Sequence, residues 1–461
     1  MTTSTAIRPL APSEQIFAGA QVYVGYAVQV SGRLDPAALS SAYDAVVRAY
    51  PVLGAGLEPT ESGNHVLVAG TGAAPEISVV DSDPERLLVA PAFDQRVALS
   101  ALRVVRDGET ASVTLLTHHS VADAYHSLAV LAELWSCYTD VVDGHSVERE
   151  VQPYPQSVEE LLAARGIEKT AEPDAAEQPT PGGSVLSDSA AASIPVAHSG
   201  SAASPGRATT NAAATSNAAR VPEPAMPEAV SEDTGFVSLR TTRCHLSSAE
   251  TAELVELGHR EGVTINGLVS AAIMLGEAEV LGLALTDILL TYPVDLRSRL
   301  IPPVGLTEGT NVLGFANHLS TANIGLLDLA RGICESLRAG LASGTVQRTP
   351  LHIPEMAGEL ELMPGMVLVT NWGRVPDLRA PDGLHINDFR STLTARADRT
   401  GGHDPEVPGG SACIVSTFGG RLSIEIHHPE STTAQQQRRI DALTAKLRGA
   451  LAARADSAQS G

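Results

Sequence analysis

The chain has 461 residues and a formal net charge of -22, which argues against broad nucleic-acid binding and against a polybasic membrane anchor, since both need clustered Lys and Arg. Apolar residues make up 43% and aromatics 3%, so a length that allows two or three domains must build its cores from Leu, Val, Ile and Ala. Four cysteines, Cys137, Cys244, Cys334 and Cys413, stand far apart with no CxxC pair, and with no signal-peptide pattern before Pro12 and no uninterrupted apolar run of spanning length the expectation is a cytoplasmic protein with free thiols and no transmembrane segment.

Residues 23–30 are apolar and extended in character. Asp35-Pro36 supplies a helix cap and a first helical residue, and Leu39, Tyr43, Val46 and Val47 keep helical spacing up to Pro51. Residues 99–105 and 112–117 read as strands. A helix with Leu128, Leu131, Leu134, Trp135 and Tyr138 on one side comes next. Over 168–235 Ala, Ser, Pro, Thr and Gly dominate. Such a stretch buries too little apolar surface to offset its ordering entropy, and it reads as a flexible linker.

The second globular part opens near Phe236. Ser247-Ser248-Ala249-Glu250 is a capping box that starts one helix, and a mostly apolar helix follows Thr264. Residues 288–292 read as a strand ending in Pro293-Val294-Asp295-Leu296-Arg297, and 326–341 as a helix. A strand over 366–370 reaches Asn371-Trp372-Gly373. Strands over 412–418 and 421–427 flank Gly419-Gly420, a hairpin signal. His427-His428, before Pro429, reads as a surface loop. A final helix covers 433–451. The fold class is α+β: one domain over 1–167, the linker over 168–235, a second domain over 236–453 and a disordered tail over 454–461.

The strand over 112–117 runs into His118-His119, with Asp123, Ala124 and His126 just behind. Three chemistries fit. A neutral imidazole can take a proton from an alcohol or amine as it attacks an acyl carbonyl. Metal ligation suits the residue types, although adjacent histidines on a strand face opposite ways and no HExxH is present. The third reading is a satisfied polar cluster near the surface.

His118-His119 through Asp123 and a small residue resembles the HHxxxDG signature of the condensation-domain and chloramphenicol-acetyltransferase-like superfamily. The phthiocerol/phthiodiolone dimycocerosyl transferase-like, polyketide-associated acyltransferases are the most similar group. Further blocks occur in the same order: Arg8-Pro9-Leu10-Ala11-Pro12-Ser13-Glu14, Leu34 to Leu39, Tyr50 to Leu53, Glu133 to Asp140, Tyr292 to Arg297 and Thr310 to Gly314. The resemblance covers nearly all of both globular parts.

It implies two chloramphenicol-acetyltransferase-like α/β sandwich domains in a V with the active-site channel at their interface. His119 would be the general base, His118 a supporting residue, and Asp123 a structural partner of Arg297. Asn371, Thr310 and Asn311 become candidate oxyanion or substrate contacts. The implied reaction moves an acyl group from a CoA or acyl-carrier-protein thioester to a hydroxyl or amine of a lipid, polyketide or other natural product, without acyl-enzyme, metal or bound cofactor. One departure stands out: Ala124 occupies the position where the family has Gly. A glycine there could serve a positive φ or a close backbone approach, and a noncatalytic docking protein for a carrier protein is the alternative that Ala124 favours.

Overall fold

The computed structural model describes residues 5–70, 75, 77–88, 93–169, 236–353, 365–396 and 411–459. The chain opens with β1 (Ala6–Pro9), helix α1 (Pro12–Ala18) and β2 (Tyr23–Gly32). Helix α2 (Pro36–Ala49) starts where the Asp35 carboxylate accepts from the Ala37 and Ala38 amides, with Pro36 in the first helical position. Then come β3 (Gly56–Pro59), β4 (His65–Val68), β5 (Ser78–Asp81), β6 (Ser100–Asp107), β7 (Thr110–His118), α3 (Ala124–Val142) and α4 (Val158–Ala163). The second half runs through β8 (Phe236–Ser238), β9 (Arg240–His245), α5 (Ser248–Glu261), α6 (Ile265–Leu281), β10 (Leu289–Asp295) and β11 (Leu313–Leu319). It continues with α7 (Leu326–Ala342), α8 (Thr345–Arg348), β12 (Met366–Arg374), β13 (Leu384–Arg396), β14 (Ser411–Phe418), β15 (Arg421–His428) and α9 (Thr433–Gln459).

Two six-stranded sheets organise these elements. The first has the order β5-β6-β7-β2-β13-β8 and the second β11-β10-β12-β14-β15-β9; β1, β4 and β3 form a small third sheet. Helices α2 and α3 cover the first sheet with Leu39, Tyr43, Leu131 and Trp135 in its core. The second sheet carries α5, α6, α7 and α9, which bury Leu254, Leu268, Leu329 and Leu443. Strand β7 is buried on both faces after its first residue, so Thr110–His118 shows no clean polar–apolar alternation.

Three expectations need correction. First, β13 pairs antiparallel with β2 from Leu384 opposite Gly32 to Thr394 opposite Tyr23, and β8 pairs with β13. Residues 236–238 and 384–396 therefore complete the first sheet, although their place in the chain assigns them to the second domain. Second, α9 continues to Gln459, into the 454–461 segment expected to be disordered, and the Ala-rich run after Leu451 has the helix propensity for it. Third, His427 and His428 end strand β15 rather than sitting on a loop. The ring nitrogens of His427 contact the Thr241 and Ser391 hydroxyls at 3.0 and 2.8 Å, and His428 Nε2 contacts the Thr242 hydroxyl at 2.7 Å. Both are satisfied polar groups between strands. Of the expected linker, residues 170–235 lie outside the described residues. Among the described residues no single helix is long and apolar enough to cross a membrane, and the four cysteines are free.

Candidate active site

Strand β7 delivers the histidine pair to the seam between the two sheets. His118 points into the first lobe with no solvent exposure. Its Nε2 lies 2.9 Å from Gln95 Oε1, and its Nδ1 accepts from the Ser120 amide at 3.2 Å. With both nitrogens occupied and the ring desolvated, its pKa falls to about 3, so it is a neutral, fixed ring.

His119 points the other way and is half-buried. Its amide donates to the Val22 carbonyl at 2.8 Å, its own carbonyl accepts from Asn311 Nδ2 at 2.8 Å, and its ring stacks on Phe17 with centroids 4.0 Å apart. Nδ1 lies 3.3 Å from the Ala122 carbonyl. A carbonyl only accepts, so that contact places the ring proton on Nδ1 and leaves the Nε2 lone pair for chemistry. Burial pushes the His119 pKa below its ordinary value, partly offset by the Asp123 carboxylate.

Asp123 does two jobs at once. Its side chain caps α3 by accepting the His126 amide at 3.0 Å, and it receives both arms of the Arg297 guanidinium at 2.8 and 3.0 Å. It also accepts the Val312 amide at 3.1 Å. Asp123 and Arg297 are 1% and 4% exposed, so this is a desolvated fork between residues 174 apart in sequence. Asp295 and the Leu306 carbonyl take further bonds from Arg297 at 3.0 and 3.3 Å. Arg297 is thus a buried bridge between the two halves. His126, behind the helix start, places Nδ1 3.2 Å from the Gly309 carbonyl.

Ala124 follows directly as the first residue of α3. The only non-glycine residue with positive φ among those described is Gln21, so Ala124 sits in an unstrained backbone. Its side chain lines the cavity. The glycine this position usually holds is not required here for conformation.

A cavity of about 200 Å³ lies between the lobes. The first half contributes Phe17, Val24, Tyr26, His119 and Tyr125; the second contributes Asp295, Asn311, Leu368, Asn371 and Leu393. Most of this wall is apolar, with a few polar groups around His119, as expected of a small-molecule site. Asn371 lies inside β12 rather than at its end. Its Oδ1 accepts the Gly373 amide at 2.8 Å, and Nδ2 gives one bond to Asn266 at 3.1 Å. That leaves the second N–H of Nδ2 for the cavity. Thr310 differs from its expected role. Its hydroxyl donates to Glu14 at 2.8 Å, it has no exposure, and it does not line the cavity. Sequence reasoning also passed over Glu14, Phe17, Tyr125 and Asp295 as site residues; each belongs to a segment quoted or adjacent to one, but none carries a spacing that marks it.

Among the described residues no group of three or more His, Cys, Asp or Glu side chains is placed to hold a metal.

Comparison with known proteins places this chain in a family. Residues 235–427 match the family model described as phthiocerol/phthiodiolone dimycocerosyl transferase C-terminus. The chain is 33% identical over 436 residues to the phthiocerol/phthiodiolone dimycocerosyl transferase of Mycobacterium ulcerans, covering 93% of each chain. It superposes with a TM-score of 0.70 and 29% identity on polyketide synthase associated protein 5 from Mycobacterium tuberculosis, over 97% of this chain and 99% of that one. The first condensation domain of the calcium-dependent antibiotic synthetase matches at a TM-score of 0.62 and 14% identity, over 96% and 97% of the two chains; that likeness shows the two-lobed condensation-domain fold alone. The chain belongs to the phthiocerol/phthiodiolone dimycocerosyl transferase family and is an acyltransferase.

Proposed function

We propose that the chain moves an acyl group from a thioester, carried on CoA or an acyl carrier protein, to a hydroxyl or amine of a lipid, polyketide or other natural product, with His119 as the general base. The observation that carries this reading is the free Nε2 of a Nδ1-protonated, desolvated imidazole in a cavity walled by both lobes. The acceptor loses its proton to Nε2 as its oxygen or nitrogen attacks the thioester carbonyl. The tetrahedral intermediate collapses with cleavage of the C–S bond, and the departing sulfur takes the proton back from the imidazolium. The base is regenerated and no acyl-enzyme forms. The uncommitted N–H of Asn371, on the same cavity wall, is the donor we assign to the developing oxyanion.

Asp123 and Arg297 do not touch the reacting atoms. They fix the loop that carries His119 against the second half. The noncatalytic alternative rested on Ala124, and an alanine in helical geometry at the cavity wall gives it no support.

The test is mass spectrometry of products from mixed acyl thioesters and candidate alcohols or amines, with wild type and His119→Ala side by side. Loss of about 10²- to 10⁴-fold in rate with an unchanged melting curve is expected. A folded His119→Ala that still transfers at the wild-type rate overturns the assignment.

A further inference from the structure

Glu14 is a carboxylate with no solvent exposure, and the reaction as written does not use it. Both arms of Arg8 bind it, at 2.7 and 2.8 Å. The Ala11 amide and the Thr310 hydroxyl each donate to it at 2.8 Å. Its main-chain carbonyl accepts the Ser120 hydroxyl at 2.8 Å. One residue therefore joins the N-terminal strand, the start of α1, the residue after His119 and the Thr310 segment of the second half. Three positions further along, α1 presents Phe17, whose ring lies on the His119 imidazole at 4.0 Å and 21° between planes.

We infer that Glu14 is a positioning residue: its buried carboxylate locks α1 and the Thr310 segment around the histidine loop, so that Phe17 and Asn311 hold the His119 ring in register with the cavity. This rests on the reading of His119 as the base. Apolar packing could fill the same space, but only directional, charge-assisted bonds fix α1, the loop and the second half at set distances. Asn311 lies next to Thr310 and holds the His119 carbonyl. Movement of Thr310 away from Glu14 is thus transmitted to the base through one peptide unit.

The stack also has an electrostatic effect. Phe17 covers one face of the imidazole and keeps water off it, and burial is the main reason for the low pKa of His119. The other groups around the ring are Asp123 and the Ala122 carbonyl in its own loop, Arg297 paired to Asp123, and Asp295 and Tyr125 on the shared cavity wall, with His118 neutral on the opposite side. A change at Glu14 removes none of these groups; it reaches them through Thr310, whose carbonyl accepts the Asp123 amide at 2.9 Å. Loosening the clamp lets solvent reach the ring, so the His119 pKa moves up toward its unperturbed value.

The experiment uses the full chain with Glu14→Gln, Thr310→Val and Thr310→Ser. Two readouts are taken: steady-state kinetics on a thioester and acceptor pair that the wild type turns over, and NMR titration of the His119 ring. Glu14→Gln is expected to lower kcat roughly 10- to 100-fold with KM within about threefold, and to raise the His119 pKa. Thr310→Val gives the same changes in weaker form, and Thr310→Ser, which restores the hydroxyl, recovers most of the rate. An unchanged kcat and titration in folded Glu14→Gln overturns the inference. If Glu14→Gln does not fold, the Thr310 pair decides: equal kcat and pKa in the Val and Ser variants overturn it. The titration reads the clamp directly. A shifted pKa in an enzyme whose His119→Ala variant stays active would instead defeat the base assignment.

Discussion

Removal of one end of the Asp123–Arg297 bridge is the sharpest test of how the lobes are held. In Arg297→Ala the Asp123 carboxylate stays 1% exposed in the surrounding structure and loses both guanidinium bonds. A buried charge deprived of its partner costs about 3–5 kcal/mol. Asp123 keeps the His126 and Val312 amides as donors, which places the expected loss near the lower end, about 3 kcal/mol. Asp123→Asn preserves the volume and one acceptor oxygen, while Arg297 retains Asp295 at 3.0 Å; the loss of a charge-assisted bond predicts about 1.5–3 kcal/mol. The Asp123→Asn/Arg297→Met double variant removes both charges. It should be more stable than the sum of its single changes implies, by 2 kcal/mol or more. Urea unfolding followed by circular dichroism measures all three, with the slope checked for constancy. An Arg297→Ala variant within about 1 kcal/mol of wild type would show that the fork is not desolvated in solution.

Acid should destabilise the fold before it reaches the carboxylate range. His118 and His126 have pKa values lowered to about 3 and about 4 by burial, against about 6.5 in the unfolded chain. From these two rings unfolding takes up close to two protons between about pH 6 and pH 4, and His427, lowered to about 3 by burial, adds another. Stability is full above 6.5 and falls as pH drops, with a limiting slope from these two rings of about 2.7 kcal/mol per pH unit; unfolding midpoints across that range read it, and a flat profile contradicts the burial of both rings. The pH–rate profile gives a separate check. A base must be neutral, and burial holds the His119 pKa low, so kcat/KM should stay level through neutral pH and decline only below about 6.5 on the acid side. An acid limb above that value would mean the ring is solvated or paired with an anion. Ala124→Gly should change stability by no more than about 1 kcal/mol and leave transfer intact, since the first turn of α3 needs no glycine; Ala124→Phe should block transfer by filling the cavity wall. Product formation by the Phe variant at the wild-type rate would remove Ala124 from the substrate path.

Much of the local structure was legible because it follows from short-range chemistry. Asp35-Pro36, Ser247 with Glu250, and Gly419-Gly420 state a cap, a capping box and a hairpin in residues that meet those demands on their own. Strand β13 was not legible. Leu384–Arg396 mixes His, Asn, Asp, Arg, Ser and Thr through its length, and key polar groups in it pair with partners far away in the chain. Arg243 reaches Asp388 from β9, and the Ser391 amide donates to Glu425 on β15 at 2.7 Å. No window of sequence contains both sides of those pairs. The site divides the same way. His119 and Asp123 sit in one compact motif. Arg297 could be matched to Asp123 only through the family resemblance, and Glu14 met Thr310 only once the chain was folded.

The position of β13 makes a last prediction that concerns the whole chain. The first lobe is not the N-terminal half alone: the ten-residue strand β2 lies between β7 on one side and β13 on the other. A fragment ending at Lys169 would leave that edge of β2 unpaired and Phe389, Trp372 and Leu384 missing from its core. Long unpaired edges beside apolar surface promote association between chains. The same fragment would lack Arg297, leaving Asp123 without its cation, and Thr310, one of the donors on Glu14. Residues 1–169 expressed alone should therefore be insoluble or aggregated. Co-expressed with residues 236–461, they should copurify as a one-to-one complex and recover acyl transfer, because every pairing named here is non-covalent. Size-exclusion chromatography, circular dichroism and the mass-spectrometric assay distinguish the outcomes. A soluble, monomeric 1–169 fragment with a cooperative unfolding transition would show that the first lobe closes without β13, and that His119 is held by its own half of the chain.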